Sequence, residues 1–452
     1  MPDANVIGSG PNGLAAAITL AQAGWHVTVF EAEPVPGGGV RSAELTLPGF
    51  THDICAAVFP IPAASPFFRG LPLAQHGLEW IRPPAALAHP FDDGTAETLG
   101  RDSSVCQPLL GQLAAAWPRL EPSVLGPLAW PQHPLTMARF ASVAFRSASG
   151  LARARFRDER ARSLFAGLAA HSGLALEEPL TAGLALVLGA LAHVTGWPIA
   201  CGGAQSLANA LASYLRSLGG QIVTANRIRS LDELPRAQAT LCDLSPKPLL
   251  SIAGRFLPSS YRRKLEGYRY GPGAFKVDWA LDAPIPWTAA ACSRAATVHL
   301  GGTISEIASG EREVSRGAYP ERPFVILVQP SLFDATRAPA GKHTAWAYCH
   351  VPNGSRCDML ERIENQVERF APGFRARILA RNVMTPAHIE SHNANFAGGD
   401  VAAGADNPAR FFRSYSTPLE GLYVCSAATP PGPGVHGMCG YHAARRALRP
   451  AR

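Results

Sequence analysis

Three glycines, Gly8, Gly10 and Gly13, stand near the start of the chain in the spacing GxGxxG, as Gly8-Ser9-Gly10-Pro11-Asn12-Gly13. A missing Cβ does a different job at each position. It permits a tight turn at Gly8, lets backbone approach a pyrophosphate at Gly10, and lets a helix pack closely on a strand at Gly13. Free backbone N–H groups at the start of that helix would face the phosphates. Glu31 follows where a carboxylate accepts hydrogen bonds from an adenosine ribose, and it would repel a 2′-phosphate. The chemistry implied is the holding of a dinucleotide, with Pro11, Asn12 and Ala32 as adjoining contacts.

The flanking elements fit that task. Ala4 to Gly8 is β-prone, Leu14 to Ala23 is an alanine-rich helical stretch ended by Gly24, and His26 to Glu31 alternates with β-branched residues. A lone GxGxxG is a weak signal, but one between a strand and a helix with its acidic partner downstream is a strong one.

Further along, Gly37-Gly38-Gly39-Val40-Arg41-Ser42 resembles the GG-x-x-R segment that flavin amine oxidases and phytoene desaturases carry after their acidic residue. Gly8 to Leu14 and His392-Asn393-Ala394-Asn395-Phe396-Ala397-Gly398-Gly399-Asp400 are similar to the phytoene-dehydrogenase-like group of FAD-dependent oxidoreductases. The resemblance implies FAD as cofactor. Gly38 and Gly39 would then let the backbone pass the phosphates, with Arg41 neutralising them and Ser42 adjoining. It further implies that Ile228 contacts the adenine through its backbone. Gly434, Val435, His436 and Gly437, ahead of the last helix, would lie against the flavin ring, where negative charge develops on reduction.

Without that resemblance, Gly202 to Leu231 reads as a helix, a Gly-Gly turn and a β-hairpin. The stretch Asp406 to Thr417 is shorter than the resemblance implies. Lys276, in Gly271 to Trp279, resembles the lysine that flavin amine oxidases hold near the flavin N5; an ion pair with a nearby carboxylate is the competing reading. Lys276 and His436 are the candidate catalytic residues. His52, Asp53 and Cys55 would pass beneath the ring, where a structural role outweighs a catalytic one. His171, His193 and His350 sit in apolar surroundings and read as core histidines.

The fold expected is α/β: a three-layer, mostly parallel, Rossmann-like FAD-binding domain built from residues 1–75, 201–250 and 401–452. A mixed α+β substrate domain, 76–200 and 251–400, is interleaved with it. The first part of that domain is helix-prone. The second is β-rich, with runs at Ala274 to Leu281, Phe324 to Gln329 and Thr344 to His350.

Of the 452 residues 47% are hydrophobic and 17% charged, the balance of a packed globular enzyme. The 41 basic residues exceed the 34 acidic ones, and arginines crowd 146 to 162, where they would line one helix face. A solvated face is the plain reading, and contact with anionic lipid is the functional one; no nucleic-acid module is legible. Leu180 to Trp197 is apolar but broken by Thr181, His193 and Thr195, which favours a buried helix over a membrane span.

Nine scattered cysteines without a CxxC pair read as reduced thiols. With a strand beginning almost at Met1, no targeting segment is expected in front of it, and a cytoplasmic location, with peripheral membrane contact as its variant, would follow. No HExxH spacing suggests a metal, and none is expected. The expected reaction is dehydrogenation of an apolar or isoprenoid-like molecule by hydride transfer to the flavin, with oxygen or a quinone as electron acceptor. Double-bond saturation or isomerisation, amine or amino-acid oxidation, and a flavin-bound regulatory role without turnover stand as alternatives. Nothing in the sequence indicates the oligomeric state.

Overall fold

The computed structural model describes residues 2–404 and 414–449; most of the short stretch Asp406 to Thr417 therefore lies outside the described residues. Five strands form a wholly parallel sheet in the spatial order Leu422–Val424, Ala239–Cys242, Asp3–Ile7, His26–Phe30 and Gln221–Val223. Their apolar runs follow from being covered on both faces, as parallel sheets require. Helices Pro11–Gln22, Gln205–Ser217 and Met438–Ala447 cover one face with Leu14, Ile18, Leu207, Leu211 and Ala443. Helices Pro246–Ala253 and Ser259–Glu266 cover the other with Leu249, Ala253 and Leu265. The Rossmann-like α/β fold class is thus observed. One local expectation fails: Gln221–Val223 does not open a hairpin but joins the parallel sheet beside His26–Phe30, because Ile222 packs on the same core as the preceding helix.

Small residues set the helix spacing. The first and last helices cross so closely that a Cβ on Gly440 would stand 1.8 Å from the Asn12 carbonyl oxygen. At Gly13 a Cβ would stand 2.1 Å from the Gly8 carbonyl oxygen, so only glycine lets the helix leave the first strand at this angle.

A second, mixed sheet has seven strands in the order Ile378–Met384, Gly273–Leu281, His343–Val351, Val325–Val328, Ala295–Leu300, Ala85–Pro90 and Ala96–Leu99. All neighbours are antiparallel except Ala295–Leu300 with Ala85–Pro90. Alternation divides the strands into two faces. Phe275, Val277, Ala347 and Leu327 pack against helix Leu360–Phe370. The opposite face, carrying Lys276, Trp346, Tyr348, Ile326, Val328 and Thr297, looks toward the first sheet.

The apolar segment beginning at Leu180 is helix Thr181–Val194, buried against helices Gln107–Val124 and Glu159–Ala170. Among the described residues no helix is long and apolar enough to cross a membrane. The arginine-rich stretch is not one helix face. It breaks at Phe156, whose ring is buried, into helices Ala148–Arg155 and Glu159–Ala170. Arg160 leaves the group to pair with Asp93 and to lie 4.8 Å over the Phe91 ring.

Candidate functional site

One cavity of about 480 Å³ runs from the glycine loop to the face of the second sheet that carries Lys276. Its dinucleotide end is lined by Gly8, Gly10, Pro11, Asn12, Glu31, Ala32, Gly38, Gly39, Arg41 and Ile228. Gly8 turns with φ +96°, and Gly10 precedes the first helical residue, Pro11, so the helix N-terminus opens directly on the cavity. Gly38, at φ +54°, comes so near this loop that a Cβ would lie 3.0 Å from the Gly10 Cα. The two glycines make a cradle that side chains would fill.

Glu31 is already oriented by the protein. Its Oε2 accepts the Ser9 N–H at 2.8 Å and the Ser9 hydroxyl at 2.5 Å, and its Oε1 accepts the Glu33 N–H at 2.9 Å. Each carboxylate oxygen keeps acceptor capacity for a further hydroxyl. Arg41 is more committed than its motif suggests. It donates from Nε to the Gly38 carbonyl at 3.2 Å and from Nη2 to the His392 carbonyl at 2.7 Å, and its Nη1 stands 3.3 Å from Glu33 Oε2. It pins the 386–396 segment over the loop while facing the cavity.

Three further residues belong to the site: Asp243, which carried no sequence signal, and Asn395 and His392, which lie in the resembling 392–400 segment, where the resemblance assigns them no role. Asp243, just after strand Ala239–Cys242, accepts the Gly13 N–H at 3.0 Å, and a Cβ at Gly10 would stand 2.7 Å from its Oδ2. Burial raises its carboxyl to about 7, opposed by the Gly13 N–H and assisted by the negative Glu31. Asn395 ties this segment down, accepting the Ser245 N–H at 2.7 Å and donating to the Asp243 carbonyl at 2.8 Å. His392 is held near 4, first by burial and then by the charge of Arg41, so its imidazole is neutral. Its Nε2 and the Asn12 Oδ1 are buried without a hydrogen-bond partner, and both residues line the cavity. Orphaned polar atoms beside a glycine cradle at a helix N-terminus fit a bound dinucleotide.

Gly434 and Val435 also line the cavity, but His436 and Gly437 do not. The His436 ring is committed within its own turn: Nε2 bonds the Gly432 carbonyl at 3.0 Å and Nδ1 accepts the Met438 N–H at 2.9 Å. Burial lowers it to about 4, and the neutral ring caps the last helix. The structure therefore gives His436 a bracing position instead of the catalytic one expected. Gly437 adopts φ +69° to start that helix. Ser42 likewise turns from the cavity, donating to Asp53 at 2.7 Å and accepting the Gln205 N–H at 3.1 Å. Asp53 joins it to the Ala204 N–H and to buried Arg337, a knot fastening the Ser42–Asp53 hairpin to helix Gln205–Ser217. His52 bonds the Thr46 hydroxyl at 2.8 Å and is held near 3 by burial and by the charges of Lys276 and Arg337. Cys55 does line the cavity, with burial pushing its thiol up to about 11.

Beyond the glycine end the wall turns apolar, with Val58, Ile61, Leu188, Trp197, Ile326, Val328 and Trp346. Lys276 marks the junction. It is 4% exposed, lies 5.3 Å from the Trp346 ring centroid, and is paired with Asp278 two residues along the same strand face. The carboxylate reading of Lys276 is thus realised while the lysine still faces the cavity. Asp278 stands 3.7 Å from His52 Nδ1 and accepts from Asn382 at 3.3 Å. The carboxylates in the cavity wall, Glu31, Glu33 and Asp243, all belong to the dinucleotide end. His350 is bound to Glu311 at 2.9 Å in the core, and His193 touches the Arg101 carbonyl at 3.2 Å. His171, expected in the core, forms part of the cavity wall.

Comparison with known proteins agrees with this geometry. Residues 6–71 match the NAD(P)-binding Rossmann-like domain. The chain is 26% identical to the mouse (Mus musculus) pyridine nucleotide-disulfide oxidoreductase domain-containing protein 2 over 99% of its own length and 93% of the relative's. It is also 26% identical to the phytoene dehydrogenase of Streptomyces griseus, over 84% and 81% of the two chains. A solved structure of putrescine oxidase with putrescine bound shares the fold, with a TM-score of 0.64, 16% identity and 98% and 97% coverage. The chain thus matches a Rossmann-like domain near its start, is similar over most of its length to oxidoreductases that include a phytoene dehydrogenase, and shares its fold with putrescine oxidase.

Proposed function

We propose that the cavity holds FAD and that the protein dehydrogenates an apolar, isoprenoid-like small molecule. One observation carries this reading: the glycine cradle opens without interruption into a chamber whose wall beyond Lys276 is mostly apolar and carries no carboxylate. Three separate chain pieces, at Gly8–Asn12, Gly38–Arg41 and Gly434–Val435, line one groove, which supports FAD over a shorter ligand. FAD bound there would supply a hydride acceptor at its N5. Trp346, Val328 and Ile326 exclude water from the reacting carbon, and the carboxylate of the Lys276–Asp278 pair at the edge of the chamber would take up the proton that the substrate loses alongside the hydride.

An amine substrate is less well served. Its ammonium would meet no carboxylate, and Trp346 and Tyr348 stack on each other along one strand, 6.0 Å apart, instead of facing across a gap. Saturation and isomerisation use the same walls. Protein reconstituted with FAD and mixed anaerobically with a panel of isoprenoids and polyenes should lose its oxidised-flavin absorbance with one of them. Failure to retain FAD, or no bleaching across the panel while an amine bleaches it, would overturn the reading. Recovery of the oxidised-flavin absorbance when the photoreduced protein is mixed with an unsaturated substrate would assign the reverse direction.

We also propose peripheral membrane contact, with oxygen or a membrane quinone as electron acceptor. The support is that residues 128–146 expose four large apolar side chains, Leu128, Trp130, Leu135 and Phe145, with Trp130 88% exposed, and expose Arg139 and Arg146 in the same stretch of chain. Apolar anchors with flanking cations suit an anionic lipid surface. Flotation with anionic liposomes should carry the protein upward, and Trp130→Ser with Leu135→Ser should abolish this. Equal flotation of wild type and variant would refute it.

A further inference from the structure

The chamber beyond the glycine loop is apolar except for Thr297 and for two side chains that each keep a polar atom without a hydrogen-bond partner among the described residues. His171 lies in its wall, and only its Nε2 is engaged, with His299 Nε2 at 2.8 Å. Tyr348 lies in the same wall, and its hydroxyl makes no hydrogen bond to the described residues. Trp197 meets the His171 ring edge-on at 5.8 Å, and its own N–H is spent on the Leu188 carbonyl at 3.3 Å. The histidine is therefore held by His299 and Trp197 with one ring nitrogen to spare.

The state of that nitrogen follows from its neighbours. Burial and then the nearby His350 hold His171 at about 3, and His299 is lowered well below its usual value, so both rings are neutral and one proton lies between them. His299 Nδ1 is buried without a partner. An orphaned buried N–H is rarer than an orphaned lone pair, which places a bare lone pair on His299 Nδ1. His299 then donates from Nε2 to His171, and the His171 proton sits on Nδ1, free to donate to a ligand.

We infer that His171, at the distal end of the chamber, and Tyr348, one strand from Lys276 on the same sheet face, are polar anchors along the chamber wall, which recognise a carbonyl or hydroxyl oxygen on an otherwise hydrocarbon substrate. The reasoning rests on the chamber being the substrate site, as proposed above, and adds the chemical class: an oxygenated terpenoid-like molecule instead of a pure hydrocarbon. The sheet also sets the reach. His299, Ile326, Tyr348 and Lys276 are register partners on four successive strands. Three interstrand spacings put the His299 and Lys276 backbones about 14 Å apart. A molecule touching both ends is therefore on the order of 10 Å long once the side chains are subtracted.

The test uses the FAD-loaded protein and two probes sharing one carbon skeleton, limonene and its ketone carvone, titrated anaerobically with the shift of the flavin absorbance band as readout. Wild type should bind carvone about tenfold tighter than limonene, the value of one well-made hydrogen bond in a dry site. His171→Phe should bring the ratio close to one while leaving limonene binding intact. Tyr348→Phe, which removes only a hydroxyl, should lower the ratio without risk to the fold. Equal affinity of wild type for both probes, or a preference that survives both substitutions, overturns the anchor and leaves the apolar chamber standing. Binding of neither probe overturns the chamber as the substrate site, and the anchor with it.

Discussion

Asp243→Asn is the perturbation whose consequence the structure states most sharply. The carboxyl rises from 3.8 to about 7 in the folded chain, principally because it is buried, with Glu31 adding repulsion against the opposing Gly13 N–H. A raised acid pKa means that the folded state holds its proton more tightly than the unfolded chain. The stability this brings is complete below pH 3.8 and is lost as pH rises through about 7. Roughly three units at about 1.4 kcal/mol each give about 4 kcal/mol of cost at pH 8, lessened by the favourable helix N-terminus beside it. Asparagine keeps an acceptor for the Gly13 N–H but cannot ionise. The variant should therefore gain about 2–4 kcal/mol over wild type in urea unfolding of the cofactor-free protein at pH 8, and close to nothing from ionisation at pH 4. Comparing the two pH values cancels any constant effect of the amide. A wild-type-to-variant difference that does not change between pH 4 and pH 8 would refute the reasoning. The same charge faces the proposed phosphate position, so FAD titrations should show wild-type affinity falling above pH 7 and the variant's staying level.

Replacing Lys276 by Met leaves Asp278 buried at 0% exposure without its cation, which should cost about 3–5 kcal/mol. Adding Asp278→Asn should recover most of that loss, and chemical denaturation of the single and double variants would expose the wrong premise if both were equally unstable. Arg41→Gln removes charged contacts to Glu33, Gly38 and His392, and FAD affinity measured by flavin fluorescence should fall about tenfold to a hundredfold. Unchanged affinity would mean that Arg41 only braces the 386–396 segment. Gly13→Ala should prevent stable folding of the first βαβ unit, because its Cβ would meet a backbone oxygen at 2.1 Å; a cooperative, wild-type-like circular dichroism melt would contradict this.

Local signals were enough wherever a function depends on backbone shape. The GxGxxG loop, Glu31 and the Gly38–Arg41 segment follow one another within two strands and a helix, so their spacing alone constrains how they meet a ligand. The runs at 274–281 and 344–350 are strands in the structure because β-branched and aromatic residues occupy them densely. Even the shared face of Trp346, Tyr348 and His350 is readable from their alternation. His436 misled because its flanking turn resembles a ring contact, whereas its direction is set by bonds to Gly432 and Met438 that spacing does not encode.

What only the folded chain decided is which distant groups share a wall. Asp243 meets Gly13 across 230 residues of sequence, and His171 meets His299 across 128. Neither pair leaves a periodicity or motif, since each arises where two sheets and their covering helices close on one another. The amino-acid sequence by itself determined that this protein has a dinucleotide cradle. The tertiary structure decided that an ionisable acid presses on that cradle, that Lys276 is paired, and that His171 and Tyr348 enter the wall of the apolar chamber, because those depend on through-space burial and not on neighbours along the chain.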